Sequence, residues 1–464
     1  MRPLVLRNVE IYGRAGLDAR IDGGRVVAIG ERLTGPAEDI DGRGGALIPG
    51  LIDHHIHLLA TAAQARSVRL DEVRDAGGFE AALSRALAAR PAGAWLRATG
   101  YHERMAGDLD RDVLDRLAPL HRLRVQHQTG SLWVLNSAAL EEATARGAPA
   151  EAERDAQGRL TGRIWRGDAW LREQLGAEPP ELAPLGRTLA SYGITGLTDT
   201  SATTDAKAAA LLAEARRGGA LPQRLTLMSA GPLAPAVDGG FDVGPVKVLL
   251  DDARLPDFDD FVARIQGARA QGRRVAVHCV TAGELAMTLA AFELAGARPG
   301  DRIEHGGVIP VEAIPALKRL GLTVVTQSAF VHERGDRYLA EVDPAEQADL
   351  YRCASLLAAG VPVAGSSDAP YASCDPWLGM RAAIERRTRA GQPIGQAERI
   401  APARALELYL GDRDAPGGPA RRIEAGAGAD LCLLRVPLAA ALAEPSAELV
   451  RATVVAGEVV FARD

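Results

Sequence analysis

Eight short apolar runs, each ending in polar residues, constrain this chain more than any other feature. They are LIPGLIDHHIH (48–57), GLTDTS (196–201), RLTLMSAG (224–231), PVKVLLD (245–251), RRVAVHC (273–279), RIEHGG (302–307), TVVTQS (323–328) and PVAGSSD (362–368). From the second run on they start 28, 21, 28, 29, 21 and 39 residues apart, with Ala/Arg/Leu-rich helical stretches between them. Continuous apolar runs suit strands buried on both faces, and this pace is that of a strand, a helix and two loops. Eight such units predict an α/β protein built on a (β/α)8 TIM barrel.

The interval from 58 to about 195 is too long for one crossover and reads as an insertion after the first barrel strand. It mixes helical patterns (DAGGFEAALSRALAARPAG) with strand-like pieces (LRVQHQTGSLWVL). Both chain ends carry hairpin grammar, with DGG before RVVAIG near the start and VAGEVVF near the end. Neither end has enough strands to be stable alone, so the two are expected to form one flanking β-sandwich. The expected domains are residues 1–48 plus 400–464 for the sandwich, 49–60 plus 190–399 for the barrel, and 61–189 for a lid subdomain.

Composition narrows the function. A formal charge of -6 argues against nucleic acid and anionic membrane as partners. No stretch of 18 apolar residues reads as a membrane span, and the N-terminus does not read as a secretion signal. The four widely spaced cysteines form no CxxC pair, so a cytoplasmic setting without a disulfide framework is expected.

The chemistry concentrates at the strand ends. In Asp53-His54-His55-Ile56-His57, alternation puts His55 and His57 on one face, where two imidazoles can share a metal. His278, His305 and Asp368 each close a later run. Any one of them could simply be a polar residue ending a strand. Five ligand-type residues at the end of a barrel where all βα loops open point to a divalent metal site, best suited to zinc.

Lys247 lies within PVKVLL, where an ammonium is normally excluded. Of 54 basic residues only three are Lys, and Lys247 is the one in an expected barrel strand. An ammonium about 4 Å from a divalent ion would be repelled by roughly 8 kcal/mol at an effective dielectric of about 20. Burial frees the neutral amine, which carbon dioxide would convert to an anionic carbamate able to bridge two metals. One or two divalent ions are therefore expected.

The order His55 and His57, Lys247, His278, His305, Asp368 resembles the metal-site order of the amidohydrolase superfamily. PGLIDHHIHL, LNSAAL (135–140), GRLTGRIW (158–165), RIEHG (302–306) and GSSDAPY with DPW are similar to its branch containing N-substituted formamide deformylases. The resemblance covers nearly the whole chain. It departs at Ser131, where relatives often carry a His five residues before the Asn-Ser pair; His127 lies four residues earlier.

The resemblance implies a hydrolase of non-peptide carbon–nitrogen bonds in small amide-like molecules. Metal-activated water would be the nucleophile and Asp368 the general base and acid. Gln327 at the end of the seventh strand, His332 in the following loop, and Tyr101 and His127 in the insertion are candidates for substrate contact. Alternatives are a deaminase of an amino-substituted heterocycle on the same scaffold and a non-catalytic metal-stabilised binding protein. The sandwich offers a surface for a homodimer.

Overall fold

The computed structural model describes residues 2–70, 73–175, 179–237 and 239–463. All eight apolar runs form strands of one parallel sheet, and their order in space is their order in sequence. The strands are Leu51–Ile56, Ile194–Asp199, Arg224–Ser229, Asp242–Val248, Val275–Cys279, Arg302–His305, Thr323–Thr326 and Val363–Gly365. Most of their residues are buried, as strands covered by helices on one face and packed against one another on the other must be.

The first and eighth strands meet through the loop that follows the eighth. The Asp368 amide donates to the His55 carbonyl (2.8 Å), and the His57 amide donates to the Ala369 carbonyl (2.9 Å). The barrel is thus fastened at the end where the expected ligands lie.

The crossover helices carry clear local signals. Ala282–Ala295 begins at a capping box, with the Thr281 side chain accepting from the Glu284 amide. It buries Leu285, Leu289 and Phe292, and gives way to Gly296 at φ 80°. Helix Phe258–Ala270 is capped by Asp257 and buries Phe261, Val262 and Ile265.

The chain ends build two four-stranded sheets over a shared core. Leu4–Ile11, Arg14–Asp22, Arg25–Gly30 and Glu38–Asp41 form one; Leu47–Pro49, Leu431–Leu434, Val450–Val455 and Glu458–Ala462 form the other. Leu6, Val9, Ile21 and Val26 from the N-terminal part pack with Leu431, Leu433, Ala452 and Val454 from the C-terminal part. Antiparallel pairing of Leu47–Pro49 with Leu431–Leu433 joins the two ends covalently distant in the chain.

Two compact units divide the molecule at Leu58/Leu59 and Glu181/Leu182. Leu59–Glu181 is the inserted unit. Its six-stranded mixed sheet runs Ala152–Arg154, Leu160–Trp165, Leu132–Leu135, Arg122–His127, Trp95–Tyr101 and Val68–Arg69. The core of this unit gathers Phe79, Leu83, Leu96, Tyr101, Val125 and Val134. Helix Ala183–Ser191 belongs to the barrel unit. Among the described residues, no helix is long and apolar enough to cross a membrane.

Candidate metal centre

Strand register sets the first part of the site. Lys247 pairs with Ala276, two residues before His278, and His278 pairs with Glu304. In parallel strands paired residues share a face, so Lys247, His278 and Glu304 share one. By the same rule His305, which pairs with Cys279, falls on the other face. The backbone overrides the rule: His305 has φ 72°. Its ring consequently lies beside that of His278, with centroids 4.5 Å apart. Asp368 is also left-handed, at φ 55°. A non-glycine residue in this region costs about 1–3 kcal/mol, a strain concentrated at functional sites.

Three of the expected ligands converge on Asp368. His55 Nε2 and His57 Nε2 each lie 3.2 Å from Asp368 Oδ1, and His305 Nδ1 lies 3.7 Å from Oδ2. Donor atoms of His55, His305 and Asp368 fall within 4.8 Å of one another. Bonds of about 2.0–2.1 Å in a tetrahedral zinc site separate the ligand atoms by roughly 3.3–3.4 Å, near the two observed imidazole-to-carboxylate distances.

Three buried atoms at this place have no hydrogen-bond partner among the described residues: His55 Nε2, Asp368 Oδ1 and Lys247 Nζ. Leaving one such group unsatisfied costs about 1–3 kcal/mol, and more when it is charged. A cation among them satisfies imidazole lone pair and carboxylate together, so the residues present fit a divalent metal.

Each of three imidazoles has a side-chain partner at Nδ1. Glu304 accepts from His55 Nδ1. Ser201 Oγ lies 3.0 Å from His57 Nδ1, and the Ser201 amide donates to Asp199 (3.0 Å). Gln327 Oε1 accepts from His305 Nδ1 (2.9 Å), while its Nε2 donates to Ser366 Oγ (3.0 Å). Such contacts fix ring orientation and tautomer at metal sites.

The electrostatics follow from burial and charge. Burial, then the neighbouring His278, keeps His305 well below the usual imidazole range, in the neutral form that binds metals. Burial also lowers the Lys247 amine. For Asp368 burial works upward, but His55 and His305 outweigh it and hold the carboxyl well below its ordinary range. Burial pushes Asp53, which accepts from the Ser367 amide at 3.0 Å, up to about 6.

The residues expected to touch substrate are placed as follows. Gln327 is fully buried, with both ends of its amide engaged by His305 and Ser366. His332 is half-buried in helix Ala329–Glu333, its Nδ1 3.3 Å from the Arg387 carbonyl. In the inserted unit, Tyr101 is a core residue whose hydroxyl donates to the Gly107 carbonyl. His127 is half-buried, with Nε2 3.2 Å from Glu103 and Nδ1 2.8 Å from Thr129 Oγ1.

Sequence reasoning gave no role to Glu304, Arg302, Asp199 or Ser201. For Glu304 the signal was present: a carboxylate inside a buried strand demands a partner as much as Lys247 does.

With this geometry in view, comparison with known proteins identifies the lineage. A family model described as "Amidohydrolase family" matches residues 38–461. The N-substituted formamide deformylase of Arthrobacter pascens is 24% identical, with 92% of each chain covered. An uncharacterized metal-dependent hydrolase from Pyrococcus horikoshii shares the fold with a TM-score of 0.73 at 20% identity, covering 93% of this chain and 97% of that one. Its counterpart from Pyrococcus furiosus gives 0.69 at 20% identity, covering 92% and 98%. The chain belongs to the amidohydrolase family.

Proposed function

We propose that this enzyme hydrolyses a non-peptide, amide-like carbon–nitrogen bond of a small molecule, with Asp368 moving the proton. The observation that carries this reading is the buried Asp368 Oδ1, 3.2 Å from the Nε2 atoms of both His55 and His57 and without a hydrogen bond among the described residues. His55, His57, His278, His305, Asp368 and Lys247 would hold one or two divalent ions, with zinc best suited to so imidazole-rich a set. When bound, such an ion lowers the pKa of a water from 15.7 to about 7 and polarises a carbonyl.

The remaining steps belong to the chain. Asp368 is ionised and accepts the proton of the attacking water as its oxygen bonds to the carbonyl carbon. Asp368 then returns that proton to the nitrogen as the C–N bond breaks, leaving an acid and an amine. His127, His332, Tyr101 and Gln327 remain the proposed substrate contacts.

A hydrolysis screen of N-formyl, N-acyl, cyclic amide and carbamate compounds with added zinc tests the reading. The expected result is paired release of acid and amine from one class, or ring opening of a cyclic amide. Ammonia release from an amino-substituted heterocycle without a second organic fragment would replace this reading with the deaminase. Turnover of none of these classes by zinc-loaded enzyme would remove it.

Lys247 is proposed to be N-carboxylated. Its side chain is 2% exposed and its Nζ lacks a hydrogen-bond partner among the described residues. Because burial lowers its pKa, the amine is more readily neutral. Its lone pair can form an N–C bond to carbon dioxide, releasing one proton and leaving a carbamate anion. Protein equilibrated with 13C-bicarbonate should show one carbamate resonance that Lys247→Arg lacks. An unlabelled wild-type enzyme would end this part of the proposal.

A further inference from the structure

The side-chain contacts around the three imidazoles are chemically unequal. His57 Nδ1 meets a hydroxyl and His305 Nδ1 an amide oxygen, but His55 Nδ1 meets the carboxylate of Glu304. Glu304 is fully buried, and its other oxygen accepts from Arg302 Nε. Arg302 is buried as well, and its Nη2 donates to the His54 carbonyl at 2.7 Å. One pair on the sixth strand therefore grips the first strand twice, at the backbone of His54 and at the ring of His55.

Two consequences follow for His55. A carboxylate kept ionised by an adjoining guanidinium can only accept, so Nδ1 must carry the proton. The lone pair then resides on Nε2, the atom that is buried without a hydrogen-bond partner and 3.2 Å from Asp368 Oδ1. A ring rotation would lose the Glu304 bond, and a strand shift would lose the Arg302 bond.

We infer that Glu304, anchored by Arg302, is the positioning residue that holds His55 with its Nε2 lone pair aimed at the metal site. This rests on the metal reading given above. Glu304 would touch neither substrate nor ion. Its effect is to prepay the orientation of one ligand and to raise that ligand's basicity, as carboxylate partners of metal-binding histidines do.

The test is equilibrium zinc affinity by chelator competition, together with the visible spectrum of the cobalt-substituted protein. Glu304→Gln keeps the volume but loses the charge, and should weaken zinc binding by about 10- to 100-fold. Because a single change leaves Arg302 buried without its counter-charge, the double variant Arg302→Met/Glu304→Leu is measured beside it. Removing both charges together is often tolerated by a fold. The folded double variant should bind zinc at least as weakly as Glu304→Gln, with a cobalt spectrum changed from wild type. That spectrum reports the ligand field, which a loss of packing elsewhere leaves alone. A folded double variant that binds zinc within about twofold of wild type, with an unchanged spectrum, overturns the role of Glu304. Wild-type protein that takes up no divalent ion overturns the metal reading itself, and this inference with it.

Discussion

Asp368→Asn should retain its metal and lose about 10²- to 10⁴-fold in kcat, the range of a positioned general base and acid. The substitution keeps an oxygen where Oδ1 lies but removes the capacity to take up a proton. Placement should survive, because the backbone of this segment is fixed independently of the side chain. The Asp368 amide donates to the His55 carbonyl, and the Ala369 carbonyl accepts from the His57 amide. KM should change little, since the lost interaction acts in the transition state. Metal analysis beside steady-state kinetics checks both halves. Wild-type kcat in a metal-loaded variant would exclude the proton-transfer role, and loss of metal together with kcat would assign Asp368 to ligation alone.

The barrel was legible because buried parallel strands leave an unmistakable trace. All eight apolar runs are strands, and His55, His57 and His305 meet around Asp368. What alternation could not show is the backbone at His305 and Asp368. Strict period two turns His305 away with Cys279, and only φ 72° returns the ring to its neighbours. Gln327 was legible as a polar strand end but not as the partner of His305, because that contact depends on the packing of adjacent strands. Glu304 was legible as a buried carboxylate in need of a partner, but that the partner is the His55 ring depends on how the sixth strand packs against the first. In the insertion, excess length was visible, whereas the parallel pairing of Trp95–Tyr101 with Arg122–His127 was not. Parallel strands carry no turn signal that announces their partner.

Stripping the metal with a chelator should abolish turnover and lower the unfolding temperature, and zinc should restore both. At a free ion concentration about 100 times Kd, binding only the native state adds about 2.7 kcal/mol. The pH dependence has a definite sign. Burial and Lys247 pull the pKa of His55 down, but Glu304 and Asp368 outweigh them and raise it above the ordinary 6.5. Below that raised value the metal-free native protein carries a proton on His55, which the ion must displace. His305 is held well below 6.5, so over the same window it has no proton to release. The stabilisation by zinc should therefore be full above the His55 pKa and fall as pH drops through it, by up to about tenfold in affinity per pH unit. Thermal unfolding with and without zinc at about pH 8 and about pH 6 measures the gap at each. A gap that stays constant or widens toward pH 6 would mean that His55 is not a ligand.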